Sequence, residues 1–455
     1  MKFIDRKKET LKLEKALSGN RARLIVIYGR RRCGKSTLIK QVLKKSDIYY
    51  MAHAADESIQ IQQLADLIDE KVPGFAGPVY PDWMSLFKNL HNTLRDDITL
   101  AIDEFPYLVK QYGGLPGVIQ NLIDNFRDRK FNLILCGSSQ QMMQGLVLGT
   151  SSPLYGRADE IIRIQPLEAG WISDALNCTT EQAVEEYSVW GGVPRYLELR
   201  AEEANFREAI TNLVLDRYGV LHDEPARLFL DDMRESVQPY SILSVAGGGS
   251  NRLSEIAGRL SKPATNLSRP LDTLINLGYL SREIPFGENY KNAKKTLYRI
   301  VDPFMRFWFR FLAPNLSALE LGLTDQVWIK VKRDMEIYIS AEWENLSRKS
   351  VPFATIRGIE FGQAYRWWGT NLNNKPMELD VVAESADSKS LLIGECKWSV
   401  NQNADLLLRE LKDKAESFPL IRGRKVITAL FLKKKPAKSG NTEILIPDDV
   451  MKMLR

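Results

Sequence analysis

Metal-binding side chains are scarce in this chain of 455 residues. Its three histidines (His53, His91, His222) show no ligand spacing, and its four cysteines (Cys33, Cys136, Cys178, Cys396) lie far apart with no CxxC pair. That pattern argues against a structural zinc site and a disulfide scaffold and fits a reducing cytoplasm. Long apolar runs are also missing: none reaches the roughly 18 residues needed to span a bilayer. The opening MKFIDRKKETLKLEKAL reads as a charged amphipathic helix, not a secretion signal, so a cytoplasmic protein with no membrane contact is expected. Neither sign of charge is in large excess. Lys plus Arg (63) against Asp plus Glu (57) leaves +6, which permits nucleic-acid contact without demanding it. With 44% hydrophobic and 26% charged residues the composition is globular. At about 100 to 200 residues per domain, the length predicts two to four domains.

Short apolar runs at Arg23–Tyr28, Ile48–Ala52, Ile98–Ile102 and Leu133–Cys136 alternate with stretches of helical periodicity. Such alternation predicts an α/β unit, a parallel sheet with helices on both faces, over residues 1–165. After Pro166 the strand signals stop, and 166–246 reads as a helical lid on the sheet domain. From 247 to 301 the order is helix (RLSEIAGRL), turn, helix (TNLSRPLDTLINLGYL) and two short strands (SREIPF, KTLYRI), which is a winged-helix pattern. Pro270 falls inside the second of these helices, where it removes a hydrogen bond unless the helix starts beside it. Residues 302–336, aromatic-rich at their start, read as a buried helical connector. A second, small α/β domain follows at 337–455, with a helix at ISAEWENLSRKSV, strands at FGQAYRWW, MELDVVAE, LLIGECKW and RKVITALFL, and a helix at LLLRELKDKAESF. The lysine-rich KKKPAK (433–438) reads as a solvated loop.

Gly29-Arg30-Arg31-Arg32-Cys33-Gly34-Lys35-Ser36 matches GxxxxGK[ST] between a strand and a helix, the context that a P-loop requires. Its glycines let backbone N–H groups from Gly29, Arg30 and Cys33 through Thr37 face phosphates. Lys35 then reaches the β and γ phosphates, and Ser36 ligates magnesium. ITLAIDE ends a strand in two carboxylates, Asp103 for the magnesium shell and Glu104 for the attacking water. Ser138, beside Ser139 after LILCG, stands where a hydroxyl senses the γ phosphate or simply makes a turn. Arg157 in LYGRADE is either an arginine finger, acting in its own site or in a neighbour's and then requiring oligomerisation, or a surface ion pair. The segments FIDRKKE, GRRRCGKST, AIDEF, LCGSS, PLYGR and GGVPRYL together resemble the archaeal-type P-loop ATPases of the AAA+/STAND class. The resemblance covers about the first 235 residues. It implies ATP with Mg2+, adenine rather than guanine as the base, Gly192 and Pro194 of the lid near the nucleotide, and γ-phosphate sensing by Arg157.

In the last domain, a hairpin of MELDVV and LLIGECK carries Asp380, Glu395 and Lys397 to one place, with Glu395 and Lys397 two apart on one strand face. Paired carboxylates hold magnesium or manganese, and a neighbouring lysine orients or activates water. This D…ExK arrangement resembles the PD-(D/E)xK nuclease superfamily, which implies a restriction-endonuclease-like fold and a further glutamate from an earlier helix, either Glu344, slightly favoured, or Glu342. The rival reading is a structural ion pair in a domain that does not cut. Tyr365, Arg366, Trp367 and Trp368 either stack on bases or pack in a core. The winged helix offers Asn266, Ser268, Arg269, Lys291, Lys294 and Lys295 to double-stranded DNA. The expected function is an ATP-hydrolysing protein whose nucleotide state controls DNA binding or cleavage. Two alternatives stand: a STAND-type switch whose inert nuclease-like domain binds proteins, and a winged-helix transcription regulator.

Overall fold

The computed structural model describes residues 4–19, 21–126, 128–150, 152–232, 237–291, 293, 295–400, 403–436 and 443–455. Phe3, Lys294 and Lys438, each invoked above, lie outside them. The chain divides into two compact units, one built chiefly on Asp5–Pro166, the other on Leu167–Ala226 and Glu235–Arg455. Among the described residues no helix is long and apolar enough to cross a membrane.

The first unit holds β1 (Leu24–Gly29), β2 (Ile48–Met51), β3 (Ile98–Asp103), β4 (Phe131–Gly137) and β5 (Glu160–Ile164), arranged β2-β3-β4-β1-β5 with every pairing parallel. Side chains alternate between the faces of a strand, and here both faces are apolar. Leu24, Val26 and Tyr28 pack with Leu100 and Leu133 on one face, beneath Ile61 and Leu64 of the helix Glu57–Asp69. Ile25, Ile27 and Ile134 pack on the other, beneath Leu13 of Lys7–Leu17 and Leu38 of Lys35–Val42. Two covered faces explain why β1 and β3 are buried throughout. The strand order inserts β4 between β1 and β3, so Gly29, Gly137 and Asp103 end adjacent strands on one edge. In open parallel sheets that carboxyl edge is where ligands bind.

The second unit holds short helices from Ala169 onward and, later in the chain, three helices, Val237–Gly247, Leu253–Arg259 and Ser268–Asn276, followed by the antiparallel pair β6 (Leu280–Glu283) and β7 (Leu297–Ile300). The three-helix group therefore begins at Val237, not at the glycine turn expected to open it. Pro270 causes no conflict because it is the third residue of its helix, inside the first turn where backbone N–H groups have no intrahelical acceptor. Leu267, Leu271 and Leu274 are buried, as their spacing predicts.

The connector differs from expectation. Phe304, Phe307 and Phe309 are fully buried, but Thr324–Ser350 is one helix of 27 residues, about 40 Å long at 1.5 Å per residue. No break separates a connector from the ISAEWENLSRKSV helix. The sheet that follows a small hairpin of β8 (Thr355–Ile356) and β9 (Ile359–Glu360) is mixed. Its strands β10 (Tyr365–Thr370), β11 (Pro376–Glu384), β12 (Ser390–Lys397), β13 (Lys425–Leu432) and β14 (Glu443–Leu445) lie in chain order, antiparallel through β12 and parallel from β12 to β14. The helix Ala404–Glu416 makes the β12–β13 crossover and buries Leu407 and Leu411 against Leu391 and Leu430.

A buried ion network ties this long helix to the wing. The Glu342 side chain is 1% exposed, accepts a hydrogen bond from the Arg306 guanidinium, and lies 3.8 Å from Arg299 on β7. Burial alone opposes its charge, but Arg306 and then Arg299 hold its carboxyl below the usual range. Removing one partner of a buried pair strands the others' charge. Glu342→Ala should lower the unfolding free energy by about 3 kcal/mol in urea titration; an unchanged midpoint would show that the network does not stabilise this unit.

Candidate functional site

The loop after β1 has the backbone conformations that its glycines allow. Gly29 has φ 151°, and a Cβ there would meet the Ile164 carbonyl oxygen at 2.2 Å, so no larger residue fits between β1 and β5. Gly34 has φ 85° as it opens the helix Lys35–Val42. The buried Lys35 ammonium donates to the carbonyls of Gly29 and Arg30, both at 3.0 Å, which places it across the loop. Arg30 and Cys33 are buried and Thr37 is exposed. Arg6, itself at φ 76°, donates to the Cys33 carbonyl at 3.3 Å and the Gln165 carbonyl at 2.5 Å, bracing the loop against the chain beyond β5.

Across β4, Asp103 collects donors. Ser36 Oγ lies 2.5 Å from its Oδ2, Tyr49 Oη 2.6 Å from the same oxygen, and the Glu104 N–H 2.8 Å from Oδ1. Asp103 is 1% exposed, and burial alone would raise its pKa. Hydrogen bonds from the Cys136 thiol, Ser36, Tyr49 and the Glu104 amide outweigh that and hold it below the usual carboxylate range. Burial and the Asp103 charge push the Tyr49 hydroxyl and the Cys136 thiol upward, which keeps both protonated as donors. Glu104 takes φ 52° at the start of the helix Phe105–Gln111, and Ser138 Oγ sits 2.9 Å from each of its carboxylate oxygens. Loop amides at a helix start, a buried ammonium and a hydroxyl beside a carboxylate form a donor set suited to phosphates and to an oxygen-liganded cation.

The structure thus joins Lys35, Ser36, Asp103, Glu104 and Ser138 across adjacent strand ends. It gives Arg157 a different setting: its guanidinium pairs with Asp124 at 2.9 Å and donates to the Pro153 carbonyl at 3.0 Å, so it is held by its own unit's surface carboxylate. Gly192 serves a backbone junction, where the Leu167 N–H donates to its carbonyl at 2.7 Å and a Cβ would fall 1.8 Å from the Leu167 oxygen. Pro194 opens the helix Pro194–Ala201. His53 is exposed. Arg6, Tyr49 and Cys136 were not anticipated as parts of the site. Strand parity was the available signal, since Tyr49 and Cys136 belong with the Ile25 and Ile27 face.

A second polar centre lies in the mixed sheet. Between the pairs Tyr365–Val382 and Trp367–Leu379, one residue of β10 (Arg366) lies opposite two of β11 (Asp380 and Val381), a β-bulge that includes Asp380. The Cys396 N–H donates to Asp380 Oδ2 at 2.9 Å, and Arg348 donates to the Asp380 carbonyl at 2.8 Å. Glu395 is held at both oxygens, by Lys397 at 2.7 Å and by Lys414 of the crossover helix at 2.7 Å. Lys414 escaped the sequence reading because the D…ExK pattern stops at Lys397. Of the two candidate glutamates, Glu342 is committed to Arg306 and Arg299, whereas Glu344 acts on Asp380 through its charge. Yet no group of three or more His, Cys, Asp or Glu is placed to hold a metal among the described residues. Of the expected metal set of Glu344, Asp380 and Glu395, Glu395 is paired with two lysines in this structure.

Residues 3–199 match a family described as an ATPase domain predominantly from Archaea, and 308–407 match archaeal and bacterial proteins of unknown function. An uncharacterized protein of Methanocaldococcus jannaschii is 30% identical over 446 residues, 93% of this chain and 96% of its own length. The chain is therefore a member of this family of archaeal-type P-loop ATPases. An uncharacterized ATP-binding protein of the same organism matches over 46 residues at 48% identity, 10% of this chain and 78% of that one. A Walker-type ATPase of Pyrococcus abyssi shares the fold, with a TM-score of 0.54 at 20% identity, over 68% of this chain and 96% of that one.

Burial, then the charges of Glu344 and Glu395, push Asp380 from 3.8 up to about 6. A carboxyl with a raised folded-state pKa favours the folded state while protonated. Its contribution is complete below about pH 4 and is lost as pH rises through about 6. In chelator, Asp380→Asn should therefore melt above the wild type at pH 7 to 8, with the advantage shrinking towards pH 4. A pH-independent difference would contradict this assignment.

Proposed function

We propose that the protein binds and hydrolyses ATP, and that its nucleotide state controls how the second unit engages DNA. The contact of Ser36 with Asp103 carries the first half of this reading, because it sets a P-loop hydroxyl against a carboxylate kept ionised by surrounding donors. Ser36 and Asp103 would hold magnesium, which would supply charge neutralisation for the phosphates. The chain's own groups do the rest. Loop amides from Arg30 to Thr37 hold the phosphates, and Lys35 exchanges the carbonyls of Gly29 and Arg30 for phosphate oxygens. Glu104 accepts a proton from the attacking water and orients it, and Ser138, bonded to Glu104, relays the γ-phosphate state to that carboxylate. Arg157 acts as a finger only after leaving Asp124. Resemblance adds adenine as the base.

The second half rests on element order. Three helices and a two-stranded hairpin make a winged helix, and Asn266, Ser268 and Arg269 are exposed at the start of its third helix, where side chains meet DNA in such folds. A long helix, three strands, a crossover helix and a further strand, with Asp380 on a bulge beside Glu395 and Lys397, support a PD-(D/E)xK-like nuclease using magnesium or manganese. The second reading, an inert nuclease-like module in a STAND-type switch, is favoured by the double lysine contact at Glu395.

Lys35→Ala should weaken ATP binding about a hundredfold, and near-wild-type affinity would remove the P-loop assignment. Glu104→Gln should keep binding while slowing hydrolysis at least about a hundredfold. For the second unit, linear and circular DNA are incubated with magnesium or manganese, with and without ATP. Cutting that Asp380→Ala abolishes supports the nuclease, and no cutting in any condition supports the switch.

A further inference from the structure

The wing and the C-terminal sheet belong to one compact unit, and they enclose two adjoining cavities of about 960 and 720 Å3 that share Arg282. Arg252, Lys295, Trp368 and Glu378 line the larger one. Tyr290, Arg299, Arg348, Lys349 and Arg366 line the other. Together the linings carry seven arginines and lysines against three glutamates, an excess of four in a chain whose whole excess is six. Arg299, Arg348 and Arg366 are paired with Glu342, Glu344 and Glu378, and Arg282, Lys295 and Lys349 supply the cleft's further positive charge.

Its chemistry is specific in two further ways. Arg282 stacks over the Tyr290 ring at 5.1 Å, and its Nε is buried with no hydrogen-bond partner among the described residues, so a donor waits in the wall common to both cavities. Tyr290 is 52% exposed, and Trp368 is partly exposed beside the Arg366 guanidinium. Cations interleaved with accessible aromatic rings are the lining that a single nucleic-acid strand requires, phosphates on the cations and bases on the rings. A cavity of 960 Å3 is about 10 Å on a side if cubic, whereas the major groove of a duplex alone is about 12 Å wide. The cleft also ends at the right chemistry, because Arg348 in its wall donates to the Asp380 carbonyl at 2.8 Å.

We propose that this cleft is a channel for single-stranded nucleic acid, which passes between the wing and β10 towards Asp380. The proposal rests on the nucleic-acid reading above and narrows it, separating a strand inside the cleft from a duplex at the helix Ser268–Asn276.

The test is binding of a fluorescent oligothymidylate to the full chain in chelator, read by anisotropy over a range of salt. Lys295→Glu with Lys349→Glu alters two exposed lysines with little risk to folding. The pair should weaken binding about tenfold and flatten the salt dependence by about 0.7 per lysine. Trp368→Ala should weaken it about tenfold with the salt slope unchanged. ATP turnover should be unaffected in both variants, and Arg269→Glu should reduce duplex binding alone. Wild-type affinity for the oligothymidylate in the lysine variant, or no binding by the wild type, would overturn the channel. DNA cutting abolished by Asp380→Ala, with strand binding indifferent to the cleft variants, would sink the channel and leave the nuclease standing. Strand binding lost in those variants, with no cutting under any metal, would keep the channel and sink the nuclease.

Discussion

The ATP site depends on one hydrogen bond, 2.5 Å long, from Ser36 of the P-loop to Asp103 at the end of β3. It exists only because the parallel order puts β4 between the two strands and ends all three at one edge. Bonds to charged groups contribute about 1.5 to 3 kcal/mol each, and losing them from a buried carboxylate costs its desolvation as well. Ser36, Tyr49, Cys136 and the Glu104 amide together make the ionised form of Asp103 tolerable at 1% exposure. Arg6 secures the loop from behind through the Cys33 carbonyl, which gives the short segment before the first helix a physical reason to belong to the site.

The second polar centre shows the opposite balance. Asp380 has one amide donor and two neighbouring carboxylates, so burial and like charge push it up to about 6, while Glu395 is drawn down by lysines on both sides. Two acids beside one strand pairing thus have their pKa values pushed in opposite directions by their surroundings. Glu342, only two positions from Glu344, is instead locked to Arg306 and Arg299. One helix therefore carries Glu342, locked in an ion network, and Glu344, whose charge acts on Asp380.

Much of this was legible in the sequence, for identifiable reasons. The P-loop is a local motif whose roles follow from backbone geometry, and both faces of the parallel sheet are apolar, so β1, β3 and β4 announced themselves by hydrophobic runs. What depends on long-range pairing was not legible. Arg157 could be a finger or an ion pair on local grounds, and only folding brings Asp124 to it. The long helix was cut short because Ile329 and Ile337 are 67% and 78% exposed, which breaks the apolar periodicity of its first half. Lys414 and the Asp380 bulge are facts of strand register and crossover, invisible to spacing along the chain.

The central claim, that Ser36 and Asp103 together form the magnesium-dependent half of an ATP site, is tested most directly by the magnesium dependence of ATP affinity. Calorimetric titrations of the wild type and Asp103→Asn, each with magnesium and with chelator, separate the cation's contribution from that of the loop. The account predicts that magnesium tightens ATP binding in the wild type and has little effect in Asp103→Asn. Equal tightening in both proteins would contradict it.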